Sequence, residues 1–299
     1  MSIRPIKRIV EAKPTIEGAG VKLRRAFGFG NTHEFDPFLL FDDFRNESPE
    51  DFLAGFPWHP HRGIETITYV LAGSVAHGDS LGNKGEMGAG DVQWMTAGSG
   101  ILHQEMPKGD PRGRMHGFQL WANLPSSLKM TDPRYQDIPA RDIPEVTDDD
   151  ATHVRVVCGD FWGKTGPVQG VAADPRYLDV WVPPGKRKTL PVETTRHAFA
   201  YVFEGSGTFR DASQPLEPKT EIVGSPAAAG ETGNRSLVLF DSGDEVTVQA
   251  GDQGIRFLLV SGKPIEEPVA WYGPIVMNTP EQLRQAYEEL QDGTFIKKR

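Results

Sequence analysis

Through most of this chain apolar and polar residues alternate with a period of two. ETITYVLAG (Glu65–Gly73), VQWMTAG (Val92–Gly98) and HGFQLWANLP (His116–Pro125) all show it, and that period puts every second side chain on one face of a pleated strand. β-Branched and aromatic residues recur in these runs, as strands favour. The pattern resumes in HVRVVCG (His153–Gly159), YLDVWVPPG (Tyr177–Gly185), HAFAYVFEGSGTF (His197–Phe209), DEVTVQAG (Asp244–Gly251) and IRFLLVSG (Ile255–Gly262). Turns rich in glycine separate the runs, for example SLGNKGEMGAGD (Ser80–Asp91). Many short strands joined this way predict an all-β protein of barrel or sandwich type.

One interruption divides the chain. SSLKMTDPRYQDIPARDIPEVTDDDA (Ser126–Ala151) is polar, proline-rich and acidic at its end, and reads as a linker. A short echo joins the two sides: TYVLAGS at Thr68–Ser74 returns as AYVFEGS at Ala200–Ser206, an offset of 132 residues. Together these predict a duplicated β-domain, with an N-terminal domain over residues 1–135 and a C-terminal one over 136–299. The segment from Gly18 to Gly30 reads as loop. Its glycines lack both the Lys-Ser/Thr of a phosphate loop and the dinucleotide spacing. One helix is expected, in NTPEQLRQAYEELQDG. Thr279 would cap it, Pro280 open its first turn, Gln282 complete a capping box, and Gly293 end it. Leu283, Ala286, Tyr287 and Leu290 form its apolar face.

Charge and cysteine usage narrow the class. With 32 basic and 41 acidic residues the net charge is −9, which argues against electrostatic capture of nucleic acid or of an anionic membrane. The single cysteine, Cys158, excludes an intrachain disulfide and suits a reducing compartment; its apolar run predicts a buried thiol. No N-terminal apolar stretch has the length of a signal peptide or membrane span. The expectation is a cytoplasmic protein, or a nuclear one in a eukaryote.

Candidate chemistry is concentrated in the first half. FPWHPHRGIETITYV (Phe56–Val70) carries His59 and His61 one residue apart, then Glu65. On an early-starting strand these three share a face. GAGDVQWMTAGSGILHQEMP (Gly88–Pro107) carries a second pair, His103 and Glu105, with His103 42 positions after His61. Three imidazoles and a carboxylate converging at one barrel end suit a first-row transition metal, and the lack of a cysteine ligand argues against structural zinc. At the 132-residue offset the counterparts of His59, His61 and Glu65 are Pro191, Glu193 and His197, so the second half does not rebuild the set. His33 and His77 read as exposed loop residues.

These motifs carry a family resemblance. GFPWHPHRGIETITYVLAG and GDVQWMTAGSGILHQE resemble the two sequence motifs of the cupin superfamily, with Thr96 where proline is usual. HPHRGIETITYVLAG, DVQWMTAGSGILHQE, HGFQLWANLP and GPIVMNT together closely resemble the pirin family of bicupins. The resemblance implies two antiparallel β-barrel (cupin, jelly-roll) domains with a short C-terminal helix, only the N-terminal domain holding metal. It implies that His59, His61, His103 and Glu105 are the ligands, and that Glu65 is a pocket residue outside the metal shell.

The metal implied is divalent iron, with manganese, nickel, copper or zinc as alternatives. Four protein ligands on an octahedral ion leave two positions for an oxygen-donor substrate and dioxygen. Bacterial relatives of this kind act as quercetin 2,3-dioxygenases, opening a flavonol ring with release of carbon monoxide. The first expectation is therefore a dioxygenase on a small aromatic or flavonol substrate, with Glu105 or Glu65 accepting the substrate's hydroxyl proton and Phe56, Trp58 and Trp94 at the mouth. The second is an iron-dependent, redox-responsive regulator acting through a protein partner. Family members suggest a monomer.

Overall fold

The structure is a computed structural model and describes residues 1–212 and 230–297. The chain divides into two compact units, neither continuous in sequence. One comprises Met1–Glu11, Pro144–Gly166 and Pro175–Lys263; the other comprises Ala12–Ile143, Pro167–Asp174 and the chain from Pro264 onward. These units differ from a 1–135/136–299 division at both termini. Ile6–Glu11 pairs antiparallel with Ser236–Phe240 and so joins the second-half sheet. The C-terminal segment joins the first-half unit, where Met277 and Ile275 pack with Ala286 and Phe295.

The unit that carries the histidines is a sandwich of two antiparallel sheets. The larger sheet has seven strands in the order Arg134–Ile138, Val92–Thr96, Ile64–Ala72, His116–Asn123, Phe38–Asp43, Val21–Phe27, Lys13–Glu17. The smaller has four, in the order Phe56–His61, Ile101–Lys108, Ser74–Asp79, Lys84–Met87. Val70 and Met115 from the side of the larger sheet meet Val75 and Met87 from the smaller in one apolar cluster. The two sheets are hydrogen-bonded separately and face each other as a jelly-roll sandwich, the open form of the expected β-barrel. Arg134–Ile138 lies in the predicted linker but forms the sheet's edge, paired with Val92–Thr96. Val21–Phe27, inside the predicted loop, is also a strand.

The other unit is built on a sheet in which Glu245–Gly262, 18 residues long, runs beside His197–Phe209. Its core is aliphatic and aromatic, with Val156, Leu178, Ala200, Phe257 and Leu259 almost fully buried. The sequence echo has a backbone cause. Gly73 follows the strand Ile64–Ala72 and Gly205 sits at a register shift within His197–Phe209, both at positive φ, +81° and +66°, where glycine is the unstrained residue. A Cβ would lie 2.6 Å from the Lys108 carbonyl at the first and 2.0 Å from the Gly254 carbonyl at the second.

The helix spans Pro280–Gln291 with the full capping box between Thr279 and Gln282. Ala286, Leu283, Tyr287 and Leu290 face Ile275, Met277 and Phe295, as the apolar spacing predicts. Cys158 is buried and unbridged. Among the described residues no helix is long and apolar enough to cross a membrane.

Candidate metal centre

The pleat of the smaller sheet brings the histidines together. Burial on Ile101–Lys108 alternates, with Ile101, His103, Glu105 and Pro107 inward. His103 lies directly opposite His59 on one neighbouring strand and Asp79 on the other. His61, two positions after His59, points to the same side. One potential ligand nitrogen from each of His59, His61 and His103 falls within 4.8 Å of the others.

Backbone carbonyls orient two of the rings. His59 Nδ1 donates to Pro57 O at 2.8 Å, and His61 Nδ1 donates to Pro274 O at 3.1 Å. A neutral imidazole with its proton on Nδ1 presents a bare lone pair at Nε2. The two Nε2 atoms are 3.1 Å apart. With both protons committed to carbonyls, that approach is not a hydrogen bond between neutral rings: two bare acceptors are held against each other.

His103 adds a third donor. It is 1% exposed, and neither ring nitrogen has a hydrogen-bond partner among the described residues. A buried polar group left unmatched costs about 1–3 kcal/mol. Burial holds the His103 imidazole well below its ordinary pKa, and His61, His59 and His77 lower it further. Burial likewise holds His61 well below, assisted by His59. Both rings therefore stay neutral at neutral pH, the state a metal requires of imidazole. The convergent lone pairs and the unmatched His103 nitrogens fit a bound divalent transition ion.

Glu105 lies outside the 4.8 Å group but lines the same cavity as His59 and His61. Its Oε1 accepts from Thr68 Oγ1 at 3.3 Å, and Gln119 Nε2 donates to both carboxylate oxygens at 3.4 Å. Gln119 and Thr68 are register partners on the larger sheet. The carboxylate thus bridges the two sheets beside the imidazoles.

Glu65 is not brought to this site, contrary to the expected shared face. The strand breaks after His61: Gly63 takes φ +76°, and the chain restarts at Ile64 in the other sheet. Thr66 and Thr68 then share the cavity side with their partners Trp121 and Gln119, while Glu65 and its partner Thr96 face the other way. Thr96 Oγ1 donates to Glu65 at 2.8 Å, and burial pushes the carboxyl up from its ordinary range. Trp94, opposite Ile67, shares this far face and is fully buried; it does not line the mouth. His77 is not an exposed loop residue either. It sits on Ser74–Asp79, 7% exposed, stacked on Tyr135 with ring centres 5.6 Å apart.

The cavity over the histidines has a volume of about 470 Å³, within the ordinary range of small-molecule sites. Phe56, Trp58 and Trp121 contribute its aromatic wall, with Trp121 edge-on to His61 at 5.0 Å. At the rim Arg25 forks onto Asp42 at 2.8 and 2.7 Å and meets Glu17 at 2.9 Å. Burial pushes the Asp42 carboxyl up to about 6 against the pull of Arg25. Sequence reading passed over several of these residues. Gln119 and Trp121 were accessible to it, because they alternate in HGFQLWANLP. Pro274 carries no such signal, being brought to His61 by the fold.

Two antiparallel β units in one chain, one with three imidazoles converging beside an aromatic cavity, define a bicupin with a candidate metal site. Residues 20–122 match the pirin family and residues 177–296 match the pirin C-terminal cupin domain. The chain is 44% identical to a pirin-like protein of Caulobacter vibrioides, over 99% of this chain and all of that one. It is 39% identical to human pirin over 95% of this chain and 91% of that one. A crystal structure of quercetin 2,3-dioxygenase from Acinetobacter baumannii superposes with a TM-score of 0.85 at 29% identity, covering 98% of this chain and 99% of that one. The chain belongs to the pirin family.

Proposed function

We propose that this protein is a metal-dependent dioxygenase of the quercetin 2,3-dioxygenase type. The observation that carries the reading is the 3.1 Å approach of two unprotonated Nε2 atoms, with a His103 nitrogen within 4.8 Å of both, beside an aromatic cavity that His59 and His61 line. His59, His61 and His103 would hold the ion and Glu105 would be its fourth protein donor. Iron is the first candidate, with manganese, nickel and copper as alternatives. Bound there, such an ion would supply a Lewis acid for the enolic oxygen of the flavonol and an electron path to dioxygen, the second of which zinc, having no redox change, does not offer.

The chain's own residues do the rest. Phe56, Trp58 and Trp121 give a planar polyphenol faces to stack on. Gln119 and Thr68 hold the Glu105 carboxylate at the cavity wall, where it takes the proton of the substrate's 3-hydroxyl. Glu65 has no part in that transfer, being committed to Thr96 on the far side of the sheet. The quercetin 2,3-dioxygenase superposition over nearly the whole chain supports the same reaction class.

The test is dioxygen uptake with quercetin by protein of known metal content, beside His103→Ala. Metal-dependent uptake with ring opening and carbon monoxide release, lost in the variant, is the expected result. Tight metal binding with no uptake under iron, manganese, nickel or copper would overturn the proposal and leave the redox-responsive regulator as the reading to pursue.

A further inference from the structure

A second pocket lies against the other side of Glu105. Phe44, Phe52, Val75 and Met115 form its walls and are 8%, 1%, 4% and 0% exposed. Its polar end is Thr68, Glu105 and Gln119. Phe56, Glu105 and Gln119 also line the histidine cavity, so a single wall of three side chains separates the two spaces. We propose that this apolar pocket is a docking site for dioxygen, from which it reaches the cavity past Phe56. The proposal rests on the dioxygenase reading for the identity of its ligand, and on the pocket alone for the existence of a site.

Size and chemistry select the occupant. The pocket leaves about 20 Å³ to the centre of a water-sized sphere, enough for one small molecule and far too little for a flavonol. Water gains little there. An ordered water needs two to four polar partners, and this pocket offers them at one end only, where the side chains also bond one another: Thr68 to Glu105, and Gln119 to both Thr68 and Glu105. The other lining side chains are hydrocarbon, except for the thioether of Met115. A nonpolar diatomic gives up no hydrogen bonds on entering, and apolar pockets of this kind take up xenon. A reservoir here would hold dioxygen within one side chain of the substrate's reacting end without competing for the stacking surface of Phe56, Trp58 and Trp121.

Xenon is the probe. Crystals of the full chain pressurised with xenon should show a peak bounded by Phe52, Val75 and Met115, and Val75→Leu, which fills the space with one methylene, should remove it. Val21→Ile, from the same lining, is the second filling variant in case the first misfolds. In dioxygen-dependent turnover of quercetin, the filled variants should raise KM for dioxygen several-fold with kcat and KM for quercetin unchanged. An empty pocket under xenon overturns the site. Xenon binding with an unchanged dioxygen KM in the filled variants overturns the assignment to dioxygen. Xenon bound in a protein that turns over no flavonol upholds the site while removing the dioxygenase reading, so the two failures are distinct.

Discussion

The neutral histidines make the metal-free protein's stability depend on pH in a calculable way. His61 and His103 are held well below the ordinary imidazole pKa, chiefly by burial and then by neighbouring rings. In the unfolded chain both titrate near 6.5. Below that pH the unfolded state takes up two protons that the fold refuses, so acid favours unfolding and stability rises with pH. The limiting slope is about 1.4 kcal/mol per pH unit for each group, or about 2.7 for the pair. Integrated from pH 8 to 5.5, the loss attributable to these two rings is about 3 kcal/mol. The measurement is urea unfolding of chelator-treated protein at pH 8, 6.5 and 5.5, followed by tryptophan fluorescence, beside the double variant His61→Gln, His103→Gln. The variant should lack that portion of the acid sensitivity, giving a stability profile flatter by about 3 kcal/mol over the interval. Parallel profiles for the two proteins would refute the reasoning, because they would mean that the fold protonates these rings as readily as water does.

Two further substitutions separate the site's frame from its periphery. Gly63→Ala places a Cβ 2.0 Å from the Val276 carbonyl at φ +76°, in the turn that ends the histidine strand. We expect a loss of at least about 3 kcal/mol, from strain together with displaced backbone, seen as a lowered Tm together with reduced metal retention. Thr279→Ala removes the cap of the Pro280–Gln291 helix at a cost of about 1 kcal/mol. Its Tm should fall by about 2–4 °C with metal content unchanged; lost metal would instead show that the helix end is coupled to the Pro274 carbonyl that orients His61.

The all-β class, the helix and the buried cysteine were legible because each is a local pattern. Alternation of period two marks strands wherever one face is buried, and the helix announced itself through a capping box and four apolar residues at i, i+3, i+4 and i+7. The edge strand Arg134–Ile138 was hidden for a related reason. RYQDI has a single buried residue, Ile138, so it carries little alternation, and the prolines on either side of it read as linker. The reassignment of both termini is a matter of pairing. Nothing in IKRIVE states that its partner is SLVLF some 230 residues later, since strand pairing is set by long-range burial.

The site divides along the same line, and Glu65 shows where. The His-x-His and His-x-Glu spacings were readable because two-residue steps on a strand preserve the face, and the structure brings the three imidazoles together as that rule requires. The four-residue step from His61 to Glu65 preserves the face only on an unbroken strand. Gly63 breaks it at positive φ, with its N–H donated to Gly98 O at 2.8 Å, and passes the chain from the smaller sheet to the larger. The glycine was visible in the sequence, and its effect on the face was not, because Gly-after-strand is equally compatible with a bulge that keeps the strand's sheet. What distinguishes the two is the close approach of Val276, from a segment more than 200 residues away. The same C-terminal segment supplies Pro274 O to His61 and holds Arg62, whose guanidinium donates to Glu289 at 2.7 Å and to Phe295 O at 2.8 Å. The orientation of the His61 imidazole is therefore set twice: by the pleat at residues 56–61, and by the arrival of residues 274–295. A variant that releases the C-terminal segment should then disorder His61 before it unfolds the sheet that carries it.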